Sequence, residues 1–98
     1  MIGMLYADEA VDVIRACSAQ TSFSSDFNSC LDTATTFQTT PTSAIRACGE
    51  ATSFSSDFQS CIDSASRYTR DASATVRACG AASSFSSDLT SCVESSRS

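Results

Sequence analysis

The cysteines constrain this chain more than any other feature. Cys17, Cys48 and Cys79 fall at a constant interval of 31 residues, and Cys30, Cys61 and Cys92 keep the same interval. Their neighbours stay in step. Ile14-Arg15-Ala16-Cys17 returns as Ile45-Arg46-Ala47-Cys48 and as Val76-Arg77-Ala78-Cys79, and Ser22-Phe23-Ser24-Ser25-Asp26 returns unchanged over residues 53–57 and 84–88. A fixed period of this size marks units that cannot bury an apolar face alone and stack on neighbours that share it. The expected fold is all-α: a short α-solenoid of three 31-residue helical hairpins, each stapled by a disulfide, in a single repeat domain over residues 1–98. The units run over about 8–38, 39–69 and 70–98.

Each unit holds two helical patterns. In the second, Phe58, Cys61, Ile62 and Ala65 stand at i, i+3, i+4 and i+7, one stripe of a helix, as do Phe27, Cys30, Leu31 and Ala34. The Ser-Ser-Asp before this stripe predicts a hydroxyl N-cap and a first-turn acid, so the second helices start near Ser24, Ser55 and Ser86. The first helices carry the Ile/Val-Arg-Ala-Cys segment. Pro41 marks a first helical position, and Asp8 and Asp71 are caps for the equivalent starts. Phe23, Phe54 and Phe85, central in the short serine-rich links, read as aromatic plugs at the hairpin tips.

A hairpin folded about the Phe23/Ser24 midpoint sets Cys17 opposite Cys30 and pairs Ala16 with Leu31, Val13 with Ala34 and Ala10 with Phe37. Helices meeting through small residues pack with axes roughly 8 Å apart, which leaves facing Cα atoms within disulfide reach. The expected bridges are Cys17–Cys30, Cys48–Cys61 and Cys79–Cys92, with an inter-repeat scheme such as Cys30–Cys48 as the rival. Each local bridge closes a loop worth roughly 3 kcal/mol by chain entropy. That reinforcement suits a chain about one third Ser and Thr, whose core is thin. The same folding pairs Arg15 with Asp32, Arg46 with Asp63 and Arg77 with Glu94, a predicted salt-bridge ladder that fixes register more than it stabilises. An Arg-based anion site is the weaker alternative for these residues.

Chemistry has little to work with here. The chain has no His, so no serine has a histidine base, and the cysteine spacing is neither that of a zinc site nor that of a Cys-x-x-Cys redox pair. Asp26, Asp57 and Asp88 belong to helix starts. The three glycines make no phosphate cradle, and no catalytic residue, cofactor or metal is expected. Eleven acidic residues against six arginines, with no basic run, argue against nucleic acid and anionic membranes. No apolar stretch is long enough to span a bilayer.

As disulfide-joined helix pairs, the repeats resemble the cysteine-rich Sel1-like and tetratricopeptide-like repeat proteins exported by some bacteria. The resemblance is architectural and covers the whole chain. This unit is shorter and spaces its cysteines differently, so no ligand-binding residue carries over. Paired cysteines point to an oxidising compartment: secreted, cell-surface or periplasmic. The expected function is that of a non-enzymatic secreted structural repeat protein, stacking end to end with copies of itself into a fibre or surface appendage. The alternative is a binding or adhesion module for another surface protein or a glycan, with specificity at positions such as Gln20, Glu50 and Ala81. Thiol redox or zinc binding is a remote third reading. The opening Met1 to Ala7 lacks the charged start and full apolar middle of an intact secretion signal. It reads as the apolar first turn of a helix, sticky through Met1, Ile2, Met4, Leu5 and Tyr6, whereas the close at Glu94–Ser98 is polar.

Overall fold

The computed structural model describes residues 7–97. The readings made of the segment before Ala7 lie outside the described residues, and Asp8, read as a cap, falls inside the first helix. Six helices follow one another: α1 (Ala7–Gln20), α2 (Ser24–Ala34), α3 (Thr42–Ala51), α4 (Ser55–Ser66), α5 (Ser73–Ala82) and α6 (Ser86–Ser95). Consecutive pairs form hairpins, and the hairpins stack into a short α-solenoid. Helices α1, α3 and α5 lie side by side in one layer and α2, α4 and α6 in the other, giving Cα extents of 36 × 30 × 15 Å.

The seam between the layers is made of small residues. Ala16, Cys17, Cys30, Ala34, Ala44, Ala47, Cys48, Cys61 and Ala65 are all at most 2% exposed. Disulfides join Cys17 to Cys30, Cys48 to Cys61 and Cys79 to Cys92, each spanning 5.7 Å between Cα atoms, so every bridge lies inside one hairpin. Larger side chains fill the spaces between successive hairpins: Ile45, Ile62, Val76 and Val93 are fully buried, with Phe37, Phe58, Tyr68 and Leu89 beside them.

The second helices start where the stripe predicts, but not with the predicted cap. Phe23, Phe54 and Phe85 are the N-cap residues, extended at φ −118°, −117° and −128°, and no side-chain oxygen bonds the free N–H groups. Ser24, Ser55 and Ser86 fall one place too late for an N-cap, each being the first residue inside its helix. The first-turn acids Asp26, Asp57 and Asp88 are in place. At the first-helix starts, Pro41 sits one place earlier than expected, as N-cap of α3, and the Asp71 carboxylate accepts the Ser73 N–H at 2.9 Å ahead of α5. Thr21 and Thr52 close α1 and α3, their hydroxyls donating to the carbonyls of Cys17 and Cys48 at 2.8 Å. These bonds satisfy carbonyls that a helix end leaves open.

Candidate functional site

All six cysteines are consumed in disulfides, so no thiol is left for redox or metal chemistry. The predicted salt-bridge ladder is corrected: no ion pair joins Arg15 to Asp32, Arg46 to Asp63 or Arg77 to Glu94. Each of these residues stands two places from a seam cysteine, which turns it about 200° around the helix and away from the opposite arm. Arg77, Asp63 and Glu94 find polar partners instead along a layer, on the preceding repeat. Arg77 Nε meets Glu50 Oε1 at 3.3 Å between α5 and α3. Asp63 Oδ1 accepts from Thr33 Oγ1 at 3.1 Å, and Gln59 Nε2 donates to both, at 2.7 and 3.0 Å. Ser64 Oγ donates to Glu94 Oε1 at 3.5 Å, repeating the Thr33–Asp63 contact one unit on.

The tip aromatics are corrected as well. Phe23, Phe54 and Phe85 stand at the hairpin tips but are 70%, 71% and 72% exposed, so they plug nothing. The Ala/Cys seam beneath them leaves no socket for a ring, and the extended cap residue turns its side chain outward. The buried position is taken one turn later by Phe58 and Leu89. Between successive tips lie two clefts, of about 350 Å³ and 170 Å³. Phe23 and Phe54 flank the first with Thr21, Ser22, Asp26 and Ser53, and Phe54 and Phe85 flank the second with Ser53, Asp57, Ser83 and Ser84. Aliphatic and aromatic side chains are poor N-caps, and replacing a good cap costs about 1 kcal/mol per helix. The phenylalanines therefore hold, three times over, a place that helix stability would give to Ser or Asp.

The third arrangement is at the ends of the stack. Several positions 31 residues apart differ in burial where a neighbouring repeat is missing. Ile45 and Val76 are fully buried while Ile14 is 47% exposed, and Val11, over the equivalent of buried Thr42, is 44% exposed. Phe27 and Leu31 are half-buried where Phe58, Leu89, Ile62 and Val93 are buried. These residues mark the face each repeat turns to the one before it. The opposite face shows the reverse: Ala16 and Ala47, Cys30 and Cys61, Ala34 and Ala65 are buried, whereas Ala78 is exposed, Cys92 half-buried and Ser96 exposed. An open groove of about 600 Å³ runs over that last face past Ala74, Ala78, Ala82 and Cys92.

No family model, curated protein or solved structure matches this chain. A relationship to the Sel1-like and tetratricopeptide-like proteins is therefore not confirmed. Among the described residues no helix is long and apolar enough to cross a membrane. Three disulfides are consistent with an extracellular location.

Sequence reasoning did not single out Val11, Ile14, Phe27 and Leu31 as a face. The repeat alignment held the signal, because it places them in columns whose other members must be core. It also missed the ties across repeats through Thr33, Gln59, Glu50 and Tyr68. A polar residue on a helix surface gives no sequence clue to which neighbour it meets.

Proposed function

We propose that this protein is a secreted, non-enzymatic structural repeat protein that stacks head to tail with further copies of itself. One observation carries the reading: its two end faces are the two halves of an interface that the molecule already makes twice internally. The face of α1 and α2 offers Val11, Ile14, Phe27 and Leu31, and the face of α5 and α6 offers Ala74, Ala78 and the Cys92 side of the last disulfide. Docking the first on the second of another copy continues the solenoid with the same step. Such a contact joins unlike faces and propagates without closing on itself.

The polar ties also continue. Thr33 and Ser64 donate to Asp63 and Glu94 on the following repeat, and the next members of those columns are Ser95 at one end and Asp32 at the other. One position makes the junction between copies looser than the internal ones. Gly80 lies so close to α3 that an added Cβ would meet the Ala51 Cβ at 3.0 Å, and the corresponding residue of α1 is Ser18. The serine holds the copies a few tenths of an ångström further apart, which makes stacking reversible and concentration-dependent.

Light scattering over a concentration series, with negative-stain imaging at the top of it, tests this directly. Mass that rises with concentration, accompanied by rods one repeat stack wide, is the expected result. A single monomeric mass at every concentration up to the solubility limit sinks the proposal.

A further inference from the structure

The hairpin-tip edge is built separately from the end faces and is not used by stacking. Its pentapeptide Ser-Phe-Ser-Ser-Asp is identical in all three repeats, although the helices around it differ. A surface that repeats itself without variation suits a ligand that also repeats itself. Each copy spends an exposed aromatic on a cap position that serves the helix badly, so the ring is not there for the fold.

We propose that this edge binds a neutral, extended polysaccharide, with Phe23, Phe54 and Phe85 as stacking platforms and the two clefts receiving the hydroxyls between stacked rings. Three observations choose this occupant. The platforms are bare phenyl faces, which take the apolar C–H face of a pyranose. Hydroxyl-bearing residues are the commonest lining type in both clefts and each carries one carboxylate, Asp26 or Asp57, so a ligand entering there needs O–H donors and acceptors. No basic side chain lines either cleft, which leaves sulfated and carboxylated chains and nucleic acid without a counter-charge.

Spacing agrees. Equivalent helices of successive repeats pack roughly 8–10 Å apart, so neighbouring platforms are about that far apart, comparable to a disaccharide step of an extended β-linked chain. A proline-rich peptide has a similar step and also prefers aromatic-lined grooves, but it needs apolar slots between the rings, and these clefts are polar.

The test is retention of the full chain on microcrystalline cellulose and on chitin, with titration calorimetry against cellohexaose and chitohexaose. Phe23→Ser, Phe54→Ser and Phe85→Ser are made singly and together. Because serine is the better cap, these variants keep or raise the melting temperature, so lost binding cannot be put down to lost folding. The expected result is binding by the parent, a roughly three- to tenfold loss for each single change and no measurable binding for the triple variant, in keeping with one stacking contact per ring. Failure of the parent to bind either polysaccharide overturns the proposal, whether or not a polyproline peptide binds. Retention of the triple variant also overturns it, as does heparin binding equal to that of the neutral chains. Ile14→Asp, which blocks only the end face, leaves this binding intact and separates its failure from that of the stacking reading.

Discussion

Ile14 and Ile45 occupy the same register position 31 residues apart, yet Ile45 is fully buried and Ile14 is 47% exposed. The difference is the layer neighbour: α3 packs against α1, and among the described residues nothing occupies the equivalent side of α1. Substitution should separate the two roles of this column. Ile45→Ala opens a cavity between hairpins and should cost about 2–5 kcal/mol in urea unfolding. Ile14→Asp should change monomer stability by no more than about 0.5 kcal/mol, as for other surface positions. It should nevertheless hold the protein monomeric where the parent grows in mass. Equal destabilisation by both would mean that Ile14 is already a core residue.

The disulfide of the middle hairpin offers the second test. Its loop is the same length as the others, with a separation of 13 residues. The paired change Cys48→Ser with Cys61→Ser should cost roughly 3 kcal/mol by the chain-entropy argument, with a further loss from placing hydroxyls in a seam where both sulfurs are fully buried. Full reduction removes all three staples, on the order of 9 kcal/mol in total, which exceeds the stability of many domains of this size. Far-UV circular dichroism before and after reduction reads this out. A reduced protein that keeps its helical signal and its melting temperature would show that packing alone holds the solenoid.

Gly49 and Gly80 stand in one column but face different neighbours. A Cβ on Gly49 would land on the far end of the Gln20 side chain, which can swing aside. On Gly80 it would come within 3.0 Å of the Ala51 Cβ, which is fixed to its backbone. Gly49→Ala should therefore gain much of the roughly 1 kcal/mol that alanine brings to a helix interior. Gly80→Ala should lose that gain, and more, in pushing α5 away from α3. Thermal melts of the two variants should move in opposite directions, and parallel shifts would refute the assigned contacts.

The period and the mirror symmetry about each hairpin made the helices, the seam and the bridges readable, because both bear on Cys17 and Cys30, whose spacing leaves little freedom. The same mirror misled at Arg15 and Asp32. Symmetry in sequence ignores rotation around a helix, and two residues beyond the cysteine the side chains have turned away from the seam. Phe23 was misread for a different reason: a large apolar residue is expected inside, and its exposure follows from a narrow Ala/Cys seam that only the packed structure displays. The ends of the stack were legible in principle, since a column that is core in the middle repeat because of a neighbouring repeat loses that neighbour at one end.

Tyr68 supplies the pH prediction. Its hydroxyl donates to the Val93 carbonyl at 2.7 Å, reaching from the end of the second hairpin into the last turn of α6, where helical partners run out. Burial raises its pKa above the ordinary 10.0, with the Arg70 guanidinium 5.0 Å from the ring partly opposing. A folded pKa above the unfolded one means that this contribution is fully present below about pH 10 and is lost as pH rises through the folded value, where the phenolate can no longer donate. The first repeat carries Phe37, buried and without a hydroxyl, at the equivalent place, so Tyr68→Phe tests the bond without changing the packing. At neutral pH it should cost about 1 kcal/mol for the lost hydrogen bond. From about pH 10 upward the gap between parent and variant should close, as the parent loses what the variant never had. Denaturation curves that stay the same distance apart across that range would show that folding does not raise the Tyr68 pKa.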